Sequence, residues 1–239
     1  MALELTGVSY TYAEGTPFAQ TALADVDLWL EPGNALTLVA GPTGSGKSTL
    51  LRIAAGLMAP QTGSVKLEGE TVTGVVAGMK GGVGLVFQSP ETQLFAETIL
   101  ADVAFGPRNQ GASAEEAEEA ARGAMLAVGL DPVQFGTRSP FTLSGGEARR
   151  AALAGVLALR PRYLLLDEPL AGLDAAGRAT VVAAIERMRQ DTGIAIVSHD
   201  IEDVLALADR ALVLCEGRSA FFGAAGDLVQ DPGVLEEAG

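Results

Sequence analysis

The first part of the chain alternates between apolar and polar side chains with the period of a β-strand. The alternation covers Leu3–Leu5, Val8–Tyr12 and, after a loop at Glu14–Thr21, Val26–Leu30. Ala35–Ala40 is instead a short, continuously apolar run, which is typical of a strand that is buried on both faces. This region is therefore predicted to be β-structure that ends in a buried strand.

The pattern becomes helical from about Glu91 to Leu159. Within that stretch, Ser113 followed by Glu116 has the spacing of a capping box and predicts a helix that runs to about Val128. Beyond it, strands are predicted at Tyr163–Leu166, Ile194–Ser198 and Ala211–Cys215, and helices at Gly177–Arg189 and Ile201–Ala208. Short buried strands that alternate with helices favour an α/β fold with a parallel sheet covered on both faces. No linker is visible, so we predict a single domain, 1–239, into which residues 90–160 or so insert a helical subdomain.

Composition and charge restrict the classes of partner. The 239 residues are 48% hydrophobic and 19% charged, which is an ordinary globular composition that can bury a sizeable core. The net charge of −14 argues against duplex DNA or RNA as the main partner, because phosphate backbones are bound by patches of Lys and Arg. The one cysteine, Cys215, excludes an internal disulfide, fits a reducing compartment and is expected to be buried. No signal peptide and no apolar run of about 20 residues is visible, so a membrane role would depend on a partner.

A glycine-rich segment follows the apolar run at Ala35–Ala40 directly. We call it the phosphate-binding loop; it consists of Gly41, Pro42, Thr43, Gly44, Ser45, Gly46, Lys47 and Ser48. In the pattern G-x-x-x-x-G-K-S the glycines let backbone N–H groups surround phosphates, Lys47 reaches the outer phosphates and the Ser48 hydroxyl holds Mg²⁺. A flexible glycine loop is the alternative, but the strand before it and the helical spacing of Ser48–Leu57 after it favour a nucleotide site.

Two adjacent carboxylates end a later apolar run. Asp167 and Glu168 follow Leu164–Leu166, and the carboxyl ends of parallel strands are where open α/β sheets place their ligands. Asp167 is expected to contribute to the shell of Mg²⁺, and Glu168 to accept a proton from an attacking water as a general base. By themselves such carboxylates are often only a solvated turn. Together with the phosphate-binding loop they indicate phosphoryl-transfer chemistry.

A second glycine-containing turn lies about a hundred residues after the phosphate-binding loop. This turn, which we call the signature turn, is Leu143-Ser144-Gly145-Gly146-Glu147, and it presents a hydroxyl and N–H donors to an anion. With both segments, the chain resembles the ATP-binding cassettes of ABC transporters over essentially its whole length. The matching motifs occur in the family's order at 41–48, Gln88, 143–147, 167–168, 171–174 and His199. The resemblance implies a P-loop NTPase (ABC ATPase) core with a mainly parallel sheet, an N-terminal antiparallel β subdomain and an inserted helical subdomain.

The resemblance also implies roles for individual residues. Ser144, Gly145 and Gly146 would bind the γ-phosphate of an ATP that is held by a second ATPase subunit. It further implies that Gln88 contacts Mg²⁺ and water, that His199 contacts the γ-phosphate and that Asp174 takes part in communication between subunits. It also extends the phosphate cradle to Thr49 and implies that Tyr12, with Tyr10 as its competitor, stacks on the adenine. His199 is the chain's one histidine, and without the resemblance a surface or core histidine is the ordinary interpretation. Glu147 departs from the glutamine that commonly ends the signature turn.

A narrower likeness is carried by Phe87–Phe95, Asp102–Pro107, Gly15–Phe18 and Ser144–Arg150, which resemble the ATPases of energy-coupling-factor importers. This likeness implies ATP and Mg²⁺ as cofactors and a peripheral place on the cytoplasmic face of the membrane. It also implies an identical or similar second ATPase, a small substrate-binding membrane protein for a vitamin or a transition-metal ion, and a transmembrane coupling subunit. The coupling subunit would dock on Gln88–Gly106, around exposed Leu94 and Phe95.

Alternatives to an importer ATPase of this type remain open on the sequence. An ATPase of another transporter class, either an exporter or a binding-protein-dependent importer, shares the chemistry but not the residues at 87–107. A soluble ABC ATPase in DNA maintenance would be marked by long coiled coils or zinc-binding cysteines, which this chain lacks. A kinase with a phosphate-binding loop would leave residues 143–147 and 171–174 unexplained.

Overall fold

The computed structural model describes residues 2–33, 36–75, 81–89, 93–198, 201–230 and 233. The strands are β1 (Leu3–Tyr12), β2 (Gln20–Leu30), β3 (Leu36–Ala40), β4 (Thr62–Leu67), β5 (Glu70–Thr71), β6 (Val83–Val86), β7 (Tyr163–Asp167), β8 (Gly193–Val197), β9 (Arg210–Cys215) and β10 (Arg218–Ala224). The helices are α1 (Lys47–Ala54), α2 (Ile99–Asn109), α3 (Ala114–Ala127), α4 (Pro132–Phe135), α5 (Gly145–Leu157), α6 (Ala175–Met188), α7 (Ile201–Leu205) and α8 (Ala225–Leu228). A 3₁₀ turn at Pro140–Thr142 precedes α5.

The strands form two sheets within the described ranges. The larger sheet has the order β10-β9-β3-β8-β7-β6, and its neighbouring strands are parallel except for the antiparallel pair of β9 and β10. The smaller sheet has the order β2-β1-β4-β5 and is antiparallel. These sheets confirm the expected α/β fold class, with a mainly parallel sheet and an N-terminal antiparallel part. The parallel arrangement brings the carboxyl ends of β3, β7 and β8 to one edge, where the phosphate-binding loop and the carboxylates lie.

Hydrophobic clusters cover both faces of the larger sheet. On β3, Leu36 and Leu38 belong to the cluster shared with the inserted helices, whereas Val39 belongs to the cluster shared with the antiparallel sheet and α1. Successive side chains of a strand point to opposite faces, so one short apolar strand serves both clusters. The strands β7 and β8 are buried at every position, which explains why their sequences are continuously apolar rather than alternating.

The helical subdomain consists of α2, α3 and α5 packed against one another, with the short α4 between them. The helix α3 begins as predicted, because the Ser113 side chain accepts from the Glu116 amide and the Glu116 carboxylate accepts from the Ser113 amide. It ends at Ala127 and is followed by Gly129 in the left-handed region, with φ of +72°. Among the described residues, no helix combines the length and the apolar character that a membrane crossing requires.

Two expectations about exposure are wrong. Leu94 was expected on the surface but is buried, because it packs in the same cluster as residues of β6 and α2, including Val86, Ile99 and Val103. Phe95, the next residue, is 59% exposed. Cys215 was expected to be buried but is only partly covered, since it is the last residue of β9, where the strand leaves the core.

Candidate active site

The phosphate-binding loop connects β3 to α1, which is the strand–loop–helix context that the sequence predicted. Two of its glycines are required by close approach of other backbone segments. A Cβ atom on Gly41 would collide with the Leu214 carbonyl, and one on Gly46 with the Ala22 carbonyl. Both residues also have positive φ, of +136° and +104°, which disfavours other side chains. The loop is therefore held between β9 and β2, with its path fixed by residues far away in sequence.

Lys47 is the buried cation of the loop. Its side chain is 6% exposed, and its Nζ donates to the carbonyls of Gly41 at 2.5 Å and Pro42 at 2.9 Å. Burial lowers the pKa of Lys47, while the nearby carboxylates of Glu168 and Asp167 oppose that shift. The ammonium group therefore lies inside the curl of the loop, close to both carboxylates.

Ser48 and Asp167 come together at the edge of the sheet. The Ser48 hydroxyl donates to Asp167 Oδ2 at 2.7 Å, although the two residues are 119 positions apart in the chain. Asp167 is the last residue of β7 and is 6% exposed. A hydroxyl and a carboxylate at hydrogen-bond distance are the oxygen ligands that Mg²⁺ prefers, and Mg²⁺ is commonly held by few protein groups together with substrate phosphates.

Glu168 has an unusual backbone conformation. Its φ is +55°, in the left-handed region that side chains other than glycine rarely adopt, and its N–H donates to the Val197 carbonyl at 3.0 Å. The bond connects the residue after β7 to the last residue of β8, so the neighbouring strand helps to fix its direction. With 6% exposure, the Glu168 carboxylate is buried beside Lys47.

These residues line one cleft of about 250 Å³, which we call the nucleotide cleft. Its lining consists of Tyr12, Gln20, Ala22, Thr43, Gly44, Gly46, Lys47, Ser48, Thr49, Gln88, Asp167, Glu168 and Val197. Gly44 has φ of +84°, and a Cβ atom there would meet no atom within 4 Å, so the loop leaves open space on this side. Amide donors, a lysine, a hydroxyl and a carboxylate around such a space fit the phosphates of a nucleotide with Mg²⁺.

Tyr12 lies at one end of the cleft, and that end is formed by the antiparallel sheet. Its hydroxyl is 3.1 Å from the Thr49 hydroxyl, and its ring packs edge-on against Tyr10 with 5.0 Å between ring centroids. Tyr12 lines the cleft, whereas Tyr10 supports it from behind. Gln20 is the cross-strand neighbour of Tyr12 and also lines the cleft. The sequence interpretation missed Gln20 because its place depends on the pairing of β1 with β2.

The signature turn lies at the start of α5 and contributes no residue to the nucleotide cleft of its own chain. Ser144 accepts from the Glu147 amide at 3.3 Å, and Glu147 Oε2 accepts from the Ser144 amide at 2.7 Å, so the pair forms a capping box. The Ser144 amide lowers the pKa of the Glu147 carboxyl, and Arg138, 3.8 Å from Glu147 Oε1, acts in the same direction. Ser144 and Gly145 are exposed, as a surface that binds an external anion requires.

The remaining predicted site residues are Asp174, His199 and Ser45. Asp174 does not line the cleft; it caps α6, because its Oδ1 accepts from the Gly177 amide at 2.7 Å. His199 lies outside the described residues, one position beyond Ser198. Ser45 is a buried residue of the phosphate-binding loop itself, and its amide donates to the Pro42 carbonyl at 3.1 Å.

A family model and the similar curated proteins point to the same family. Residues 23–171 match the family model described as ABC transporter. The energy-coupling factor transporter ATP-binding protein EcfA2 of Streptococcus pneumoniae is 43% identical over 243 residues, covering 99% of this chain and 86% of that protein. The protein of the same name from Symbiobacterium thermophilum is 46% identical, covering 100% of this chain and 84% of that protein.

Solved structures agree with the architecture. A dimeric ATP-binding cassette in a post-hydrolysis state, bound to ADP and Pi, has a TM-score of 0.83 and 26% identity, covering 94% of this chain and 99% of that one. The structure of cbiO1 from Clostridium perfringens, described as part of the ABC transporter complex cbiONQ, has a TM-score of 0.79 and 28% identity, covering 98% of this chain and 92% of that one. The resemblance inferred from the order of the motifs is thereby confirmed.

Proposed function

The chain belongs to the ABC transporter family, and from that premise we propose that it is the ATP-hydrolysing subunit of an energy-coupling factor importer. The observation that carries the proposal is the convergence of Lys47, Ser48, Asp167 and Glu168 in the nucleotide cleft. They come from two distant segments of the chain, and the 2.7 Å bond from Ser48 to Asp167 joins those segments. Such a set supplies the positioning and charge neutralisation on which phosphoryl transfer depends.

Several residues of the cleft have a chemical part in hydrolysis. Backbone amides of the phosphate-binding loop and the Lys47 ammonium bind the phosphates, and Tyr12 offers its ring to the adenine. Ser48 and Asp167, with Gln88 beside them, would hold Mg²⁺, which supplies charge neutralisation at the phosphates. Glu168 accepts a proton from the water that attacks the γ-phosphate, and its backbone bond to Val197 keeps the carboxylate near that position.

The second half of the site would come from another ATPase subunit. Ser144, Gly145 and Gly146 do not line the cleft of their own chain, and the start of α5 offers a hydroxyl and amides to an anion. A dimer in which each signature turn covers the other subunit's nucleotide gives these groups a ligand. Asp174, at the cap of α6, would take part in contacts between the subunits. The dimeric cassette bound to ADP and Pi supports this arrangement.

The membrane partner would dock beside Gln88. Phe95 and Phe105 pack edge to face with 4.8 Å between ring centroids, and they are 59% and 45% exposed. Asp102 fixes this surface, because its carboxylate accepts from the amides of Phe95 and Ala96 at 2.7 Å each. The docking segment Gln88–Gly106 includes Pro90, Glu91 and Thr92, which lie outside the described residues.

The transporter complex that follows from this proposal has four components. They are this chain, a second identical or paralogous ATPase, a transmembrane coupling subunit and a small membrane protein that binds the substrate. The substrate class would be a vitamin or a transition-metal ion, and this chain would lie peripherally on the cytoplasmic face of the membrane. The names of the curated relatives support the energy-coupling factor type.

The variant Glu168→Gln tests the proposal directly. It removes the proton acceptor but keeps the size and hydrogen-bonding capacity of the side chain, so we expect ATP binding to persist while turnover falls by about a hundredfold or more. Steady-state phosphate release and equilibrium binding of ATP by the purified full chain are the measurements. Glu118→Gln is a matched control, since Glu118 is a half-exposed acid on α3 that pairs with Arg122 one turn away. Wild-type turnover in Glu168→Gln would remove Glu168 as the base.

A further inference from the structure

Arg149 lies in the second turn of α5 and extends from the helical subdomain toward the nucleotide cleft. Its Nη2 donates to the Gln88 carbonyl at 3.0 Å, and its Nη1 donates to the Glu168 carbonyl at 3.4 Å and to the Ala171 carbonyl. One guanidinium group therefore joins three backbone positions. Gln88 belongs to the segment after β6, and Glu168 and Ala171 belong to the turn after β7, so Arg149 joins α5 to two other segments.

The three carbonyls belong to segments that carry proposed catalytic groups. Gln88 follows β6 and lines the nucleotide cleft beside the proposed docking surface. Glu168 is the proposed general base, and Ala171 lies in the turn between Glu168 and Asp174. On the other side, the helix that carries Arg149 begins at the signature turn. Arg149 thus links three regions: the signature turn, which would contact the second subunit, the segment at Gln88, which would contact the membrane partner, and the backbone of Glu168.

Arginine suits this position for a geometric reason. Its guanidinium group is a planar fork with five N–H donors, so donors on different nitrogens can meet carbonyls that lie in different directions. Lysine carries the same charge but concentrates its three donors at one atom. Hydrogen bonds from a charged donor to neutral carbonyls are also stronger than those between neutral groups. The fork, rather than the charge alone, accounts for the three contacts.

We propose that Arg149 is a positioning residue that sets the place of the Glu168 carboxylate according to the position of the helical subdomain. Arg149 does not line the nucleotide cleft; it acts through the backbone of Glu168 and Gln88. When the signature turn moves onto the second subunit's nucleotide, α5 carries Arg149 with it, and the three carbonyls follow. The inference deepens the proposed function and rests on the assignment of Glu168 as the base.

The test compares Arg149→Lys and Arg149→Gln in the full chain. Both variants lose the fork, so we expect kcat for ATP hydrolysis to fall by about tenfold, roughly the worth of one or two charge-assisted hydrogen bonds. The KM for ATP, equilibrium binding of ATP and the thermal midpoint should change little, because the phosphate-binding loop is untouched. Arg122→Lys is the matched control, since Arg122 is exposed on α3 and pairs with Glu118 one turn away.

Three results would overturn the proposal. The first is wild-type kcat in Arg149→Lys, which would show that the fork is not required. The second is a parallel loss of kcat, ATP binding and thermal midpoint in both variants, which would make Arg149 a structural brace. The third is wild-type kcat in Arg149→Gln.

The variant Glu168→Gln is measured in the same series: if it is inactive while Arg149→Lys is normal, the present inference fails and the proposed function stands. If Glu168→Gln retains full turnover, the proposed function itself fails.

Discussion

At the scale of single residues, Glu147 shows how an acidic side chain replaces the glutamine that commonly ends the signature turn. The cap needs only an acceptor for the Ser144 amide, and either a carboxylate or an amide oxygen provides one. Glu147 adds a negative charge at the start of α5, where the helix dipole favours it, and Arg138 lies 3.8 Å away. The charge is therefore compensated within the chain before any phosphate arrives.

The substitutions Glu147→Gln and Glu147→Ala separate the cap from the charge. We expect Glu147→Gln to keep most of the stability at neutral pH, because its amide oxygen still accepts from the Ser144 amide. Glu147→Ala removes the acceptor and should cost about 1 kcal/mol, which lowers the thermal midpoint of a chain of this size by about 2–4 °C. Thermal denaturation of the two variants beside the wild type is the measurement. Equal midpoints for Gln and Ala would contradict the capping role.

The same comparison has a pH dependence whose sign follows from the direction of the shift. The pKa of Glu147 is lowered in the folded state from its usual 4.5, so its ionised form is stabilised by folding. That contribution is fully present above the ordinary pKa and is lost as the pH falls through the lowered, folded-state pKa. The stability difference between the wild type and Glu147→Gln should therefore diminish in acid below about pH 4.5. A difference that grows on acidification would contradict this assignment.

The candidate site residues whose placement could be predicted from the sequence are those positioned locally or by the carboxyl edge of the parallel sheet. Lys47 and Ser48 follow the loop after β3, whereas Asp167 ends β7 and Glu168 comes directly after it, so the parallel sheet brings the two segments together. In the sequence, Arg149 is recognisable only as part of the segment Ser144–Arg150 that carries the family likeness. Nothing in the local pattern shows that its side chain reaches carbonyls 61, 19 and 22 residues away. Such contacts depend on how α5 packs against the sheet, which no local pattern encodes.

At the scale of secondary-structure elements, the segment between β6 and α2 joins the core to the proposed docking surface. The sequence offered Leu94 and Phe95 as one exposed apolar pair, but adjacent residues in this turn point in different directions. Leu94 fills the cluster below, and Phe95 pairs with Phe105 above it. Local hydrophobicity could not separate them, because it shows that both are apolar and not which one has neighbours.

This division gives different expectations for Leu94→Ser and Phe95→Ser. Leu94→Ser places a hydroxyl and a cavity in the core, so we expect a loss of about 3 kcal/mol or more in the free energy of unfolding. Phe95→Ser should change stability by about 0.5 kcal/mol or less, yet release the chain from its membrane complex. Denaturant unfolding and co-purification with the membrane subunits measure the two effects. Unimpaired co-purification of Phe95→Ser would argue against docking at this surface.

The strands β4, β5 and β10 also went unrecognised in the sequence. The strand β4, Thr62–Leu67, contains one buried residue, and β10 has no buried position. Edge and surface strands need few apolar residues, so their alternation is weak. They are identified only by their pairing, of β4 with β1, of β5 with β4 and of β10 with β9. The buried strands of the larger sheet were found because each is almost wholly apolar.

At the scale of the whole molecule, the proposed dimer makes each nucleotide site depend on two chains. Within one chain, Ser144 caps α5 and is absent from the cleft that Lys47 lines. In a two-fold dimer, a subunit with an intact loop and a subunit with an intact signature turn together form one complete site. Complementation between two defective variants is therefore possible only if the site is shared.

The variants Lys47→Ala and Ser144→Ala provide that complementation test. We expect each alone to lose turnover by about a hundredfold, the effect typical of removing a transition-state donor. When the full chains are mixed in equal amounts, half of randomly paired dimers are mixed and each has one intact site, so about a quarter of wild-type turnover should return. The control mixes Lys47→Ala with the double variant, which cannot form an intact site. Absence of recovery in mixtures that form dimers would contradict a site shared between two copies.

The left-handed backbone of Glu168 has a consequence for the evolution of the chain. A residue other than glycine in this region costs on the order of 1 kcal/mol or more, and a glycine would relieve that cost while deleting the carboxylate. Selection for heat resistance alone would thus favour Glu168→Gly and abolish turnover, whereas selection for transport would retain the glutamate despite its strained backbone conformation. Thermostable descendants of this protein should be screened for phosphate release at every round.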